Sequence, residues 1–269
     1  MLRLYFFSGT GNSLWAAREI ASRLGDGELI SIPGCDASKE NISADDTVGI
    51  VFPTYAWGPP RMVAEFLTAL KIPSGTYTFA LATYASSPGA SLPMVSGILK
   101  KNGAILSAGF GISLPSNYTP FGGAWEQDRQ QKSFETASAF FDDLAAAVKS
   151  RLEQNGPSFP AIFVPVVKFF NKFSVKEFRK MSSKFSVGEM CNGCGICAKV
   201  CLAENIEMQN GKPQWLDKCE QCLACLHWCP KTAIELGRIS KGRLRYTNPF
   251  VKSSDLGVKQ KHGNTADVK

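Results

Sequence analysis

Eight of the nine cysteines in this 269-residue chain fall between positions 191 and 229. They form two runs of one pattern. The first is Cys191-x2-Cys194-x2-Cys197-x3-Cys201. The second is Cys219-x2-Cys222-x2-Cys225-x3-Cys229, followed by Pro230. Thiolates are soft ligands, and such short gaps wrap the chain round one corner of an iron–sulfur cubane. A zinc ribbon would use paired cysteines, four ligands in total and a wider gap. The spacing predicts two [4Fe-4S] centres in which the fourth cysteine of each run ligates the other cluster. Cys191, Cys194, Cys197 and Cys229 then hold one centre, and Cys219, Cys222, Cys225 and Cys201 the other. Gly193 and Gly195 lie where backbone must pass close to sulfide. Leu202 occupies a position where such runs commonly carry proline, so a loosened turn is expected beside Cys201. His227 is expected to be a surface side chain inside a tight turn. Cys35 stands alone and reads as a small buried hydrophobe with no assigned role.

A second constellation opens the chain. Directly after an apolar stretch come Ser8, Gly9, Thr10, Gly11, Asn12 and Ser13, and then a helical pattern. Glycines let the backbone approach a ligand, and N–H groups converge at a helix start, which makes an anion site. It lacks the Gly-Lys-Ser/Thr of a nucleotide-triphosphate loop, and Leu14 takes the place of a third glycine. With no basic residue in the loop, a monophosphate held by backbone and hydroxyls suits it. Two further loops carry aromatic residues at apolar-run ends: Pro53, Thr54, Tyr55, Ala56, Trp57 and Gly58, then Thr83, Tyr84, Ala85 and on to Gly89. A planar flavin could stack between them.

The elements that must position these loops read as alternating strands and helices. Strands are predicted over 2–7, 28–32, 47–53, 77–83 and 104–114. Helices are predicted over 12–24, 59–70, 89–101 and 128–154, with Leu152 on the apolar face of the last. Five strands alternating with helices imply a parallel sheet covered on both faces, with ligands at the C-terminal strand ends. Residues 155–160 break the pattern. Residues 161–190 mix aromatics with lysines and read as a helical connector.

Composition narrows the function. Hydrophobic residues make up 44% of the chain, which is ordinary for a globular protein. No apolar run approaches the roughly 18 residues of a membrane span, and no signal peptide is evident, so a cytoplasmic location is expected. The net charge of +7 is uneven. Residues 1–155 hold 12 basic and 14 acidic residues, whereas 156–269 hold 18 and 9. Two clusters with their thiolates and one flavin phosphate would add roughly −6 in formal charge. A nucleic-acid partner is therefore not expected. The only histidines are His227 and His262, no acid–base constellation is visible, and no catalytic residue is assigned.

The SGTGNS loop matches the flavodoxin phosphate-loop pattern, and the chain as a whole resembles the bacterial flavodoxin–ferredoxin fusion proteins over about residues 1–250. The resemblance implies an α/β fold: a flavodoxin-like doubly wound five-stranded parallel sheet with a second, small α+β two-cluster ferredoxin domain. It implies FMN, with its phosphate on residues 8–13 and Tyr55, Trp57 and Tyr84 flanking the ring. The expected divisions are a flavodoxin-like domain at 1–155, a connector at 156–190, a ferredoxin-like domain at 191–250 and a disordered tail at 251–269. The expected function is electron transfer between FMN, two [4Fe-4S] clusters and an unidentified redox protein. The alternative is an FMN-dependent reductase of a small acceptor fed through the clusters. Peripheral membrane contact through Lys168, Lys172, Lys176 and Lys180 is the less favoured reading of the connector. The favoured one packs its aromatics between the two domains.

Overall fold

The computed structural model describes residues 1–256 except residues 26 and 158. Five strands, β1 (Leu2–Phe6), β2 (Gly27–Ser31), β3 (Thr47–Pro53), β4 (Tyr77–Tyr84) and β5 (Ala108–Ser113), form one sheet. All pairings are parallel, in the order β2-β1-β3-β4-β5. This is the doubly wound flavodoxin-like order, which places ligands beyond the carboxyl ends of the strands. The central strands are apolar along both faces because both are covered. In β4 every residue from Tyr77 to Thr83 is buried.

Four helices cover the sheet. α1 (Asn12–Leu24) and α4 (Gln127–Lys149) share one face, where Leu14, Trp15, Phe134 and Phe141 meet Phe79 and Phe110. α2 (Arg61–Ala69) and α3 (Ser91–Lys101) cover the other, with Val63, Phe66, Val95 and Leu99 against Ile50, Phe52 and Ala80. Several boundaries differ from the sequence reading, most by one or two residues. β5 begins at Ala108 and α2 at Arg61, its first turn preceded by Pro60. α4 ends at Lys149, and Leu152 is 48% exposed. Residues 150–154 turn back along the sheet edge, where Gln154 N–H donates to Ser107 O (3.0 Å) and Gly109 N–H to Gln154 O (2.9 Å). That pairing covers an otherwise open edge strand.

Beyond the sheet, α5 (Val164–Lys180) leads into a small α+β unit. β6 (Phe185–Val187) pairs antiparallel with β9 (Ile234–Leu236), and β7 (Ile206–Gln209) with β8 (Lys212–Trp215). Between these strands lie the single-turn helices α6 (Ile196–Lys199) and α7 (Ala224–His227). The unit therefore begins at β6, inside the stretch read as connector, because its first strand finds its partner some fifty residues later, a pairing local pattern cannot show. Residues 251–256 are also not a loose tail. Val251 and Leu256 join the core beside α1, and Asp255 pairs with Arg18 at 2.9 Å. The remainder of the expected tail, 257–269, lies outside the described residues. Among the described residues no helix is long and apolar enough to cross a membrane.

Candidate cofactor sites

The turn from β1 into α1 carries the phosphate-loop residues. Gly11 takes a left-handed conformation (φ 102°) that a side chain would strain. Ser8, Thr10 and Ser13 are almost fully buried. The loop's carbonyls are occupied: Gly11 O accepts from Trp15 N–H (2.8 Å), Thr10 O from Asn248 N–H (2.8 Å) and Gly9 O from Trp228 Nε1–H (3.0 Å). Its donors are not. Among the described residues, the N–H groups of Gly9, Thr10, Gly11, Asn12 and Ser13 have no acceptor, and no side chain caps α1. The Ser8 hydroxyl is buried without a partner. A buried set of unpaired donors at a helix start is a cradle for an anion.

The hydroxyls and amides around the loop are divided between ligand and scaffold. Thr10 Oγ1 accepts from Asn117 Nδ2 (2.8 Å), and Ser13 Oγ pairs with Thr83 Oγ1 (2.9 Å). The Asn12 side chain is taken up by scaffolding. Its Oδ1 accepts from Tyr246 OH (2.5 Å) and Asn248 Nδ2 (3.1 Å), and its Nδ2 donates to Pro115 O (3.0 Å). Two donors thus occupy the Asn12 side-chain oxygen, and one of its two amide hydrogens is used.

The other two candidate loops stand beside this one at the ends of β3 and β4. Pro53 ends β3. Thr54 N–H donates to Thr83 O (2.8 Å), and its hydroxyl pairs with Ser91 Oγ (3.0 Å). Tyr55 and Gly58 exchange both backbone hydrogen bonds, with Ala56 (φ 46°) and Trp57 (φ 59°) between them. A two-residue turn of this hand suits asparagine or glycine. Holding Ala56 and a half-exposed Trp57 there is backbone strain of the kind that collects at functional sites. Gly89 packs under the turn, since a Cβ on it would lie 2.5 Å from Trp57 Cβ. Tyr84 is half-buried, which raises its phenol pKa, and Ala85 O accepts from Ser113 Oγ (2.9 Å). The Tyr55 hydroxyl is buried without a partner. Burial foremost, then Cys222, Glu220 and Cys219, push its pKa well above the ordinary value.

The eight clustered cysteines separate into two neighbourhoods. Burial raises the Cys197 thiol to about 11, and its neighbouring thiols are Cys194, Cys229 and Cys191. Burial likewise lifts Cys225, whose neighbours are Cys222, Cys201 and Cys219. Each run shapes its backbone the same way. Gly193 and Gly195 both sit at φ 72°, and the equivalent positions of the second run, Gln221 (φ 52°) and Leu223 (φ 59°), are left-handed without being glycine. Alternating left-handed residues turn successive N–H groups inward. Backbone N–H groups reach the sulfurs: Cys201 accepts from Asn205 (3.2 Å), Cys219 from Gln221 (3.3 Å) and Cys229 from Ala233 (3.3 Å). Among the described residues, no three His, Cys, Asp or Glu side chains are arranged to hold a metal ion.

The two units meet over the phosphate loop. A Cβ on Gly9 would lie 2.8 Å from Cys222 O, so loop and cysteine run are in main-chain contact. Arg61 pairs with the buried Glu220 at 2.5 Å, and Tyr118 OH donates to Gln221 Oε1 at 3.3 Å. Two sequence expectations change here. Leu202, at 3% exposure, is packed into the sheet's own core with Phe7, Val63 and Phe66. A leucine in place of proline is a plug between units, and Cys201 beside it has a satisfied sulfur. His227 is buried, not a surface side chain. Its Nε2–H donates to Asn117 O (2.6 Å) and its Nδ1 accepts from Tyr246 N–H (3.1 Å). Burial holds it neutral, with its pKa lowered to about 4. Cys35, outside both sets, points its thiol at Glu40 (3.4 Å).

The residues that sequence reasoning missed are Asn117, Asn171, Trp228, Tyr246 and Asn248. Asn171 is the one buried residue of α5 and donates to Tyr55 O (2.9 Å), clamping the Ala56–Trp57 turn. Asn171 had a faint signal, since it lies in the stretch read as a helical connector, where a buried amide has no local reason to be.

No family model matches the chain, and no curated protein matches it. Among solved structures, it is similar to the Streptococcus pneumoniae TIGR4 flavodoxin, at 18% identity over 54% of this chain and 97% of that one (TM-score 0.37). A Fusobacterium nucleatum flavodoxin bound to flavin mononucleotide is 11% identical over 56% and 98% (TM-score 0.39). The two-electron reduced Megasphaera elsdenii flavodoxin is 18% identical over 41% and 85% (TM-score 0.35). The chain's own strand order is what makes its first 155 residues a flavodoxin-like α/β unit.

Proposed function

We propose that this chain is an electron carrier that holds FMN on the sheet and two [4Fe-4S] clusters in the small unit, and exchanges electrons with a separate redox protein. The observation that carries the reading is the contact between Gly9 and Cys222, which sets one group of four thiols directly on the anion cradle. The cradle fits a flavin phosphate: inward N–H groups and the unpartnered Ser8 hydroxyl would hold it, while Tyr55, Trp57 and Tyr84 border the ring. The thiols fit the clusters as two crossed groups, Cys191, Cys194, Cys197 and Cys229, then Cys219, Cys222, Cys225 and Cys201.

FMN accepts one or two electrons and each cluster one, so together they supply conversion between pair and single-electron chemistry. The chain supplies geometry. Trp228 and Asn248 hold the carbonyls of Gly9 and Thr10 outward, which leaves the loop's donors facing the anion. The hydrogen bonds to Cys201, Cys219 and Cys229 offset thiolate charge and tune the clusters' potentials. The Tyr55 hydroxyl lies buried where the phosphate loop meets the Cys219–Cys222 segment, 3.3 Å from where a Cβ on Gly9 would be. The test is anaerobic reconstitution with iron, sulfide and FMN, then reductive titration followed by visible and EPR spectra. The expected stoichiometry is one flavin and about eight irons per chain. Cluster spectra without retained flavin, or flavin without clusters, would remove half of the reading. Retention of no cluster and no flavin would end it.

A further inference from the structure

α5 was expected to bury its aromatics between the two units; Phe178 lies there, beside Arg61 and Cys219, but the aromatics of the first turns and of the residues leading into them do not. Ile162, Phe163, Val166, Phe169, Phe170 and Phe173 are all exposed, Phe169 at 75% and Ile162 at 78%. Positions 162, 166, 169 and 173 repeat at helical spacing and form one stripe, with Phe163 and Phe170 alongside. The side that faces the protein is the opposite one, anchored by Asn171 on the Tyr55 and Ala56 carbonyls. With a whole phenylalanine presenting roughly 200 Å², the patch is on the order of 600 Å², at the upper end for a monomer.

Charge selects the occupant. Lys168, Lys172, Lys176 and Arg179 repeat at helical spacing along one flank of the stripe, and all four are exposed. The only acidic residue in the helix, Glu177, is paired with Lys180 at 2.8 Å. A second copy of the chain would bring like-charged rows together with no acid to meet them. An apolar stripe bordered by cations is the pattern of a helix that lies in a bilayer interface, rings among the acyl chains and ammonium groups at headgroup level.

We propose that α5 docks this protein on the surface of an anionic phospholipid bilayer, with its aromatic stripe inserted. Trp57 packs beside Phe170 at 5.5 Å, so docking also brings the Ala56–Trp57 turn to the membrane face. The proposal does not depend on the cofactor reading.

The test is co-sedimentation of the full reconstituted protein with phosphatidylcholine vesicles and with vesicles of equal parts phosphatidylcholine and phosphatidylglycerol. Binding to the anionic vesicles should exceed binding to the neutral ones about tenfold or more and should weaken with salt. The triple variant K168Q, K172Q, K176Q should lose that preference. The variant F169S, F173S should lose binding altogether while keeping the parent's circular dichroism and cofactor spectra, since both side chains are exposed. Absence of binding to anionic vesicles at low salt overturns the proposal. So does equal binding by the serine variant. A concentration-dependent dimer of the parent, abolished by the same serine changes, would make the stripe a self-association surface and overturn it as well.

Discussion

Replacing Leu202 with alanine tests whether the small unit is docked on the sheet or merely follows it. The side chain is 3% exposed and belongs to the cluster of Phe7, Val63, Phe66 and the strand residues beneath α2 and α3. Truncation removes the transfer free energy of its buried methyl and methylene groups and leaves a void between two rigid units that can close only by moving together. Leucine-to-alanine changes at such sites cost about 2–5 kcal/mol. For a unit of this size, each kcal/mol lowers the midpoint by about 2–4 °C. The assay is thermal unfolding followed by circular dichroism, with limited proteolysis of the 156–163 segment as a second readout. The expected result is a midpoint lowered by several degrees and faster cleavage. Leu202→Pro, which restores the residue such cysteine runs commonly carry, should fare no better, since the ring cannot fill the same pocket. A loss below about 0.5 kcal/mol, the range of surface substitutions, would refute the docking argument.

Three other outcomes follow from the geometry. Gly9→Ala places a methyl 2.8 Å from Cys222 O and should cost about 1–3 kcal/mol as the units part; FMN affinity measured by fluorescence quenching should fall with it, and parent-like stability would contradict the contact. On the proposed cluster reading, removing iron with a chelator under anaerobic conditions should speed amide exchange across 185–236, where metal ligation and folding would be coupled, while β1, β3 and β4 stay protected; unchanged exchange across 185–236 would count against the clusters. Ser43 N–H (2.9 Å) foremost, then the Met1 ammonium (3.1 Å) and Arg3 (3.3 Å), hold the Asp46 carboxyl below the usual range despite burial. Its contribution is present above the unfolded pKa of about 4 and is lost as pH falls through the lower folded value. Asp46→Asn should therefore be less stable than the parent at pH 7, with the gap closing on acidification in chemical denaturation; a gap independent of pH would assign the loss to packing.

What the sequence determined by itself is whatever short-range pattern encodes. The cluster chemistry proposed for the two cysteine runs is read entirely from gaps of two and three residues, which the sequence shows directly. The loop at residues 8–13 is legible for the same reason: a strand, glycines and a helix start within a few residues make an anion site wherever they are placed. Alternating apolar runs and helical patterns make a parallel sheet covered on both faces legible, whereas the order β2-β1-β3-β4-β5 is implied only by the resemblance. The tertiary structure alone decided how these parts face one another. Nothing local marks Leu202 as a plug, since its pocket is made by residues more than a hundred positions earlier. His227 is buried because Asn117 and Tyr246 converge on it from distant segments. Gln221 and Leu223 adopt glycine-like angles that their side chains disfavour, held there by the packing around the second thiol group. The stripe on α5 looked like interdomain packing because periodicity reports that a face is apolar and not what lies against it. Asn171, a polar residue, determined which side of that helix the protein kept.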